Sequence, residues 1–163
     1  MNSNQELIKR FYQAFQKRDY RTMQSCYCED ATFSDPVFPD LNAGQVKAMW
    51  QMFCVKGKDL EITFENILET PDGCSADWAA RYVFSPTGNH VINRIQARFI
   101  IRAGKIIRHD DNFNFYHWAR QVLGWKGCLF GWTTWFRKKV SLQAQKSLSA
   151  FMVNSANPGQ QNP

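Results

Sequence analysis

The hydrophobic period of this chain changes near residue 57, and this change constrains the fold more than any other feature of the sequence. Before Gly57, apolar residues recur every three or four positions, which is typical of helices with one buried face. After Gly57, apolar and polar residues alternate, which is typical of half-buried strands. We therefore expect helices first and a sheet second, in one domain of the α+β class.

Three helices are predicted before the sheet. The first lies within residues 4–20 and has Asn4 as its N-cap. Asp19 is expected to cap a short second helix that runs from Tyr20 to about Tyr27. A short strand over residues 31–33 and a turn rich in proline precede the third helix, at residues 45–54.

Four strands are predicted to follow, in the segments LEITFENILE, CSADWAARYVF, VINRIQARFII and KIIRHDDNFNFY. Turn signals separate them at residues 71–73, 86–89 and 103–104. Such short connections predict hairpins, and hence a bent antiparallel sheet with helices on one face.

The composition narrows the possible partners. Aromatic residues make up 15% of the chain, with thirteen Phe and six Trp, which favours a lined cavity, a subunit interface or a membrane-surface patch. The net charge of +6 invites a nucleic-acid role, but the basic residues are spread along the chain and form no recognition motif. We therefore expect no nucleic-acid partner.

The cysteines indicate a cytoplasmic protein without a metal site. Their number, five, is odd, and no apolar leader precedes them, so we expect reduced thiols. Cys26-x-Cys28 lacks a second Cys or His pair at metal-ligand spacing. No glycine-rich phosphate loop is present, so no cofactor is expected, and no apolar run reaches the roughly 18 residues that span a bilayer.

The last strand holds the most informative polar residues. Its alternation assigns His109 and Asp111 to the same face as Ile107, Phe113 and Phe115, which is the buried face. A carboxylate there is costly unless it is hydrogen-bonded, neutralised or open to a wet cavity. The pair is either an acid/base group in a pocket or a buried polar pair that fixes a loop or helix end, and the pattern leaves both readings open.

Asp35 is the second candidate. It lies between apolar residues in FSDPVF, directly before a proline that forces an extended turn. The pattern alone favours a turn or capping aspartate.

The segments EDATFSDPVF and AGKIIRHDDNF, in this order and spacing, resemble the nuclear transport factor 2-like superfamily, and most closely its SnoaL-like and ketosteroid-isomerase-like branches. The resemblance covers about residues 5–116. It implies a cone-shaped fold, with a curved sheet wrapped around the N-terminal helices and an internal apolar pocket, and a homodimer formed through the sheet.

The resemblance also implies roles for single residues. Asp35 corresponds to the base of ketosteroid isomerases, and His109 and Asp111 to the HxD motif of SnoaL-type polyketide cyclases. The oxyanion donors of the isomerases do not carry over, since Phe11 and Ile95 stand at about their positions, which disfavours steroid isomerase activity. Arg98, on the polar face of its strand, disfavours chemistry like that of limonene epoxide hydrolase.

Two functions follow as hypotheses. The first is a cofactor-independent acid/base enzyme (a cyclase, isomerase or hydrolase) for an apolar carbonyl-bearing or polycyclic molecule. Asp111 would be the proton shuttle, His109 its neighbour and Asp35 a second carboxylate. The second is a non-catalytic ligand-binding or protein-interaction module of the same fold. The residues expected to line the pocket are Phe33, Trp50, Trp78, Tyr82, Phe99 and Phe113.

The C-terminal part lies outside the resemblance. We expect a cone domain over residues 1–116, an extension over 117–152 that packs on it, and a disordered tail over 153–163. Trp125, Trp132, Trp135 and the amphipathic helix after them are expected to close the pocket or cover the dimer. Docking on a membrane surface is the alternative, and the Gln and Ser residues on the polar face of the helix disfavour it.

Overall fold

The computed structural model describes residues 3–156 of the chain. Three helices precede the last four strands, as expected, one further strand of the five-stranded sheet lies between the second and third helices, and three more helices follow the sheet. The elements are α1 Ser3–Gln16, α2 Tyr20–Ser25, β1 Tyr27–Ser34, α3 Ala43–Lys56, β2 Glu61–Thr70, β3 Gly73–Phe84, β4 Asn89–Arg102, β5 Lys105–Asn112, α4 Phe115–Leu123, α5 Trp125–Phe130 and α6 Thr134–Ala156.

Side-chain caps set the starts of the short helices. Asp19 Oδ1 accepts the backbone N–H of Thr22 at 3.0 Å and begins α2, as predicted. Asn42 and Gln45 form a reciprocal capping box at the start of α3. The predicted end of α2 is wrong, because Tyr27 begins β1 and pairs with Ile106 of β5. Pairing with a distant strand overrides the local helical pattern there.

The sheet has the strand order β1-β5-β4-β3-β2. Strands β2 to β5 form the predicted antiparallel meander. The expectation of a wholly antiparallel sheet is wrong, since β1 runs parallel to β5. The connection from β1 to β5 contains α3 and the rest of the meander, so no hairpin signal could indicate this pair.

The helices α1 and α3 cover the inner face of the sheet, α1 over β2 and β3 and α3 over β1. The space between the helices and the sheet is the core. Its largest side chains are aromatic and fully buried, including Phe11, Tyr12, Trp50 and Phe99. Their rings meet mostly edge to face, an arrangement that fills volume closely.

The helix α4 covers a sheet edge that β5 leaves open. The pairing of β5 with β4 ends at Gln96↔Asn112, so the first half of β4 has no strand on that side. Gln121 replaces the missing strand: its side-chain amide accepts the Ile92 N–H at 2.8 Å and donates to the Ile92 carbonyl at 3.1 Å. The N–H and the carbonyl of Ile92, which face the open edge of β4, therefore both have a hydrogen-bond partner.

The helix α6 packs against α3 through its second half. Leu148 is 2% exposed and belongs to the main core, while Ala144 and Phe151 of the predicted apolar stripe are partly buried beside it. The helix continues to Ala156, so residues 153–156 are not part of a disordered tail. The rest of the predicted tail, residues 157–163, lies outside the described residues.

The tryptophans of the extension lie at its surface. Trp125, Trp132 and Trp135 are 68%, 72% and 65% exposed in the single chain, and their closing of a pocket or covering of a dimer stays a prediction. Only the helices around them pack on the domain. None of the helices in residues 3–156 combines the length and the apolar character that crossing a bilayer needs.

Replacing Leu148 with alanine should lower the free energy of unfolding by about 2–5 kcal/mol, because it removes a buried side chain between α6 and the core. Urea unfolding followed by circular dichroism measures the change. Leu142→Ala on the same helix is the control, since Leu142 is 50% exposed and should change stability by less than about 0.5 kcal/mol. Equal losses in the two variants would show that α6 does not pack through Leu148.

Candidate functional site

The residues His109 and Asp111 lie on the buried face of β5, as the alternation predicts. His109 is 0% exposed and Asp111 6% exposed. Their neighbours Arg108 and Asp110 point to the other face and form a salt bridge of 2.7 Å with each other. The period of two therefore divides the RHDD segment into an outer ion pair and an inner polar pair.

A chain of hydrogen bonds fixes the His109 ring. Trp50 Nε1 donates to the Tyr27 hydroxyl oxygen at 2.9 Å, and that hydroxyl lies 2.7 Å from His109 Nδ1. Since the Tyr27 oxygen accepts from Trp50, its own hydrogen is directed at Nδ1. Nδ1 is then the acceptor, and the neutral ring carries its proton on Nε2.

The Nε2–H of His109 donates to Asp111 Oδ1 at 2.9 Å. Trp78 Nε1 donates to the same oxygen at 3.2 Å. These two donors suit an ionised carboxylate. Asp111 Oδ2 accepts no hydrogen bond from any described residue, yet it is not sealed from solvent. Asp111 Oδ1 is therefore fixed by two donors, and Oδ2 is left to accept a further hydrogen bond or a proton.

Tyr12, on α1, is a polar residue that the sequence analysis missed. Its hydroxyl is buried and has no hydrogen-bond partner within the described part of the chain. Burial and the nearby Asp111 carboxylate raise the pKa of Tyr12 well above its ordinary value, so the group keeps its proton. The resemblance drew attention to Phe11 instead, although a tyrosine within the buried stripe of a helix is itself a sign of a polar group in the core.

Asp35 has the turn role that its sequence pattern favoured. Its Oδ1 accepts the backbone N–H groups of Val37 and Phe38, each at 2.6 Å. Burial raises the pKa of Asp35 to about 6, the Asp111 carboxylate adds to this, and the two N–H groups oppose it. Asp35 is therefore a turn residue that can hold a proton near Asp111 at mildly acidic pH.

The predicted wall residues divide into two groups. Phe33, Trp50 and Phe99 are at most 1% exposed and surround the His109 ring, with centroid distances of 5.0, 5.8 and 4.1 Å. That these three residues line a pocket stays a prediction, while the structure packs their side chains into the core. The other three, Trp78, Tyr82 and Phe113, are partly buried and lie at its margin. Of these three, Trp78 reaches Asp111 directly, through its hydrogen bond to Oδ1.

A groove of about 650 Å³ lies on the opposite face of the sheet. Its lining comes from the strands and the residues just after β5, with none from α1 or α3, and it includes Glu65, Asp77, Arg94 and Gln96. These four side chains are polar or charged, while Phe64, Ile95 and two of the predicted wall residues, Trp78 and Phe113, also line the groove. The homodimer that the resemblance implied would use this sheet face and stays a prediction.

Two activities that the sequence disfavours were argued from Arg98 and Ile95. Arg98 forms an exposed salt bridge of 3.0 Å with Asp72, away from Asp111. Ile95 is buried and apolar, so it offers no donor. Within residues 3–156, no group of three or more His, Cys, Asp or Glu side chains is arranged to hold a metal ion.

The model of the SnoaL-like domain matches residues 8–109, which is more than half of the chain. The chain belongs to the SnoaL-like family. The match ends within β5, so α4, α5 and α6 lie beyond it. Among curated proteins, none matches the chain in sequence.

Solved structures show that this family member has the nuclear transport factor 2-like fold. A protein of that fold from Burkholderia pseudomallei matches with a TM-score of 0.65 and 13% identity, over 76% of this chain and all of its own. A candidate polyketide cyclase from Streptomyces antibioticus matches with a TM-score of 0.63 and 20% identity, over 74% of this chain and 99% of its own. An LEH-like epoxide hydrolase from M. tuberculosis matches with a TM-score of 0.60 and 16% identity, over 79% of this chain and 91% of its own. At these identities the likeness concerns the fold alone.

Tyr27→Phe should lower the free energy of unfolding by about 2 kcal/mol or more, because it leaves Trp50 Nε1 and His109 Nδ1 without their buried partner. Urea unfolding measures this loss. Tyr116→Phe is the control, since Tyr116 is exposed and makes only a long bond of 3.4 Å. In the wild type, ¹⁵N NMR should report His109 as neutral with a proton on Nε2, and a proton on Nδ1 instead would contradict the assigned chain of bonds.

The wild type should lose stability as the pH rises to neutral, because Asp35 gives up its proton. The Asp35→Asn variant should not show this loss. Because the pKa of Asp35 rises from 3.8 to about 6 on folding, the folded chain binds this proton more tightly than the unfolded chain. The resulting stability is present below pH 3.8 and is lost as the pH rises through 6. Between pH 4.5 and 7.5 the wild type should therefore lose about 2 kcal/mol that the variant keeps.

Urea unfolding at the two pH values tests this, and the asparagine preserves the acceptor for the turn. Asp72→Asn is the control, because the hydrogen bond from Thr70 and the charge of Arg98 lower the pKa of Asp72 and move its titration away from this window. The explanation fails if wild type and Asp35→Asn lose equal stability between the two pH values.

Proposed function

We propose that this protein is a cofactor-independent acid/base enzyme for a small, apolar, carbonyl-bearing molecule. The observation that carries the proposal is the Asp111 carboxylate, with Oδ1 held by His109 and Trp78 and Oδ2 left available. A carboxylate that is oriented, ionised and largely removed from water is a suitable general base. The fold shared with a candidate polyketide cyclase supports the same class of chemistry.

The proposed reaction begins with removal of a proton from the carbon next to a carbonyl group. Asp111 Oδ2 takes the proton, and the electron pair of the C–H bond moves to the carbonyl oxygen as an enolate. In a cyclase, the enolate carbon then attacks a second carbonyl of the same molecule. A carbon–carbon bond forms, and the new alkoxide takes the proton back from Asp111.

The enolate oxygen needs a donor, and two candidates lie near Asp111. The Tyr12 hydroxyl keeps its proton and lacks an acceptor among the described residues, so it can donate without giving up an existing bond. Asp35, with a pKa of about 6, is partly protonated in mildly acidic solution and is the second. We assign the main role to Tyr12, because Asp35 Oδ1 is already used by two backbone groups.

His109 is a positioning residue in this scheme. Both of its ring nitrogens are already hydrogen-bonded, one to Tyr27 and one to Asp111, so it holds Asp111 and has no free atom for the substrate. Its replacement by Gln keeps one donor but loses the link to Tyr27. Such a variant should lower kcat and kcat/KM by the same factor, because His109 acts on the orientation of the base and not on substrate binding.

One observation favours a second function, that of a non-catalytic module. The core around His109 is filled by Phe33, Trp50 and Phe99, which agrees with a polar pair that only fixes the structure. Such a protein would use the sheet or its margin for binding. The two functions differ in one respect, since only the enzyme requires Asp111 Oδ2 to exchange protons with a ligand.

The decisive measurement is deuterium exchange at the α-carbon of apolar cyclic ketones, such as cyclohexanone and 1-tetralone, followed by NMR in D₂O. The wild type should exchange these protons faster than buffer, and Asp111→Asn should lower the enzyme-dependent rate at least about 100-fold. Tyr12→Phe should lower it about 10-fold or more, because the enolate loses its donor. Native mass spectrometry of the purified protein would identify any bound apolar molecule to add to the probes.

Asp110→Asn is the matched control. It removes a carboxylate one residue away on the outer face of β5, where its partner is Arg108, and should leave the exchange rate unchanged. The non-catalytic module would be favoured if native mass spectrometry shows a bound molecule and the protein exchanges the protons of no ketone faster than buffer does. Exchange that persists in Asp111→Asn would refute the assigned base.

A further inference from the structure

The whole net charge of the chain resides in its C-terminal part. Residues 112–163 contain six lysine or arginine residues and no aspartate or glutamate, and the chain as a whole has a net charge of +6. Residues 1–111 are therefore balanced in charge. The cations of the C-terminal part are Arg120, Lys126, Arg137, Lys138, Lys139 and Lys146.

The same region carries most of the exposed large aromatic surface. Trp125, Trp132 and Trp135 are each at least 65% exposed, and Leu129 and Phe130 are 54% and 48% exposed. All five lie within eleven successive residues around the junction of α5 and α6. Single exposed apolar residues are normal in proteins, but so dense a group marks an interaction surface.

The packing of α5 explains why its apolar side chains face outward. A side-chain carbon on Gly127 would overlap the backbone carbonyl of Ala119, so the Gly127 side of α5 lies directly against α4. Residues two positions before and after Gly127 are turned about 160° from it around the helix. Trp125 and Leu129 occupy these positions and therefore point away from the domain.

Cations lie among these aromatic residues. Lys126 Nζ is 5.8 Å from the Trp125 ring, and Lys139 Nζ is 5.1 Å from the Trp135 ring. On α6, Trp135, Lys138, Lys139 and Leu142 follow at i, i+3, i+4 and i+7, so they share one helix face. Long lysine side chains can lie along an apolar surface while their charged ends stay in water.

We propose that α5 and the first half of α6 dock on the surface of an anionic phospholipid bilayer. Tryptophan is the side chain that best occupies the boundary between headgroups and acyl chains, because its ring is apolar and its N–H is polar. Lysine and arginine beside it are attracted to negative headgroups. An uninterrupted positive charge around exposed tryptophans fits this partner, whereas the core of a protein–protein interface is depleted in charged residues.

The experiment measures binding of the full-length protein to vesicles by sedimentation and by tryptophan fluorescence. The vesicles are phosphatidylcholine alone and phosphatidylcholine with 30% phosphatidylserine. We expect binding to the anionic vesicles at least about tenfold stronger than to the neutral ones, a blue shift of the emission, and weakening in 0.5 M salt. Replacing the three tryptophans with serine should reduce the binding by about tenfold or more, at unchanged circular dichroism.

A pair of variants with equal net charge separates this surface from a general charge effect. The first carries K126Q, R137Q, K138Q and K139Q in the extension. The second carries R81Q, R94Q, R98Q and R102Q, which removes four exposed cations from the sheet. The first should lose at least about tenfold in binding to anionic vesicles, and the second should bind nearly as the wild type does.

Three results would overturn the proposal. Equal losses in the two charge variants would show that net charge alone is responsible. A wild type that is dimeric in light scattering and does not bind vesicles, together with a monomeric tryptophan variant, is the second result. It would show that this surface is an interface between copies of the chain. Binding to an oligonucleotide in place of anionic vesicles would identify nucleic acid as the partner.

Discussion

Burial of the Asp111 carboxylate is the constraint on which the rest of the structure depends. A carboxylate so far removed from water must be matched by donors, and these come from His109 on the same strand and Trp78 two strands away. His109 can donate through Nε2 because Tyr27 is bonded to Nδ1, and Trp50 orients Tyr27. One charge therefore fixes the relative positions of β5, β3, β1 and α3.

The filled interior follows from the same requirement. Aromatic rings surround His109 on several sides and keep water away from the chain of hydrogen bonds, which strengthens each bond in it. The polar atoms left over are Asp111 Oδ2 and the Tyr12 hydroxyl. The Tyr12 proton raises no conflict with the nearby carboxylate, since both burial and that charge keep the phenol neutral. The rest of the network is hydrogen-bonded, and the proposed proton transfer rests on these two atoms.

Alternation in the sequence predicted the directions of side chains well, and the buried positions of His109 and Asp111 follow from it directly. Pairings between distant parts of the chain were not predictable in this way. Tyr27 meets His109 across 82 residues, and it could do so only because β1 lies parallel to β5, for which no turn signal exists. Nor does a period of two say whether inward aromatic residues line a space or fill it. That depends on the volume that Phe11 and Phe15 of α1 bring to the same place, which only the packed structure reveals.

The surface formed by α5 and the first half of α6, with its exposed tryptophans and cations, owes its position to an unpaired sheet edge. Because β5 stops early, β4 needs a cover for its first half, and Gln121 provides it by holding α4 there. Gly127 of α5 then allows that helix to lie against α4, and its apolar side chains are left facing outward. This surface is therefore attached to the sheet through successive backbone and side-chain contacts. A surface that is ordered before it meets a partner loses less conformational entropy on binding, so more of its contact energy contributes to affinity.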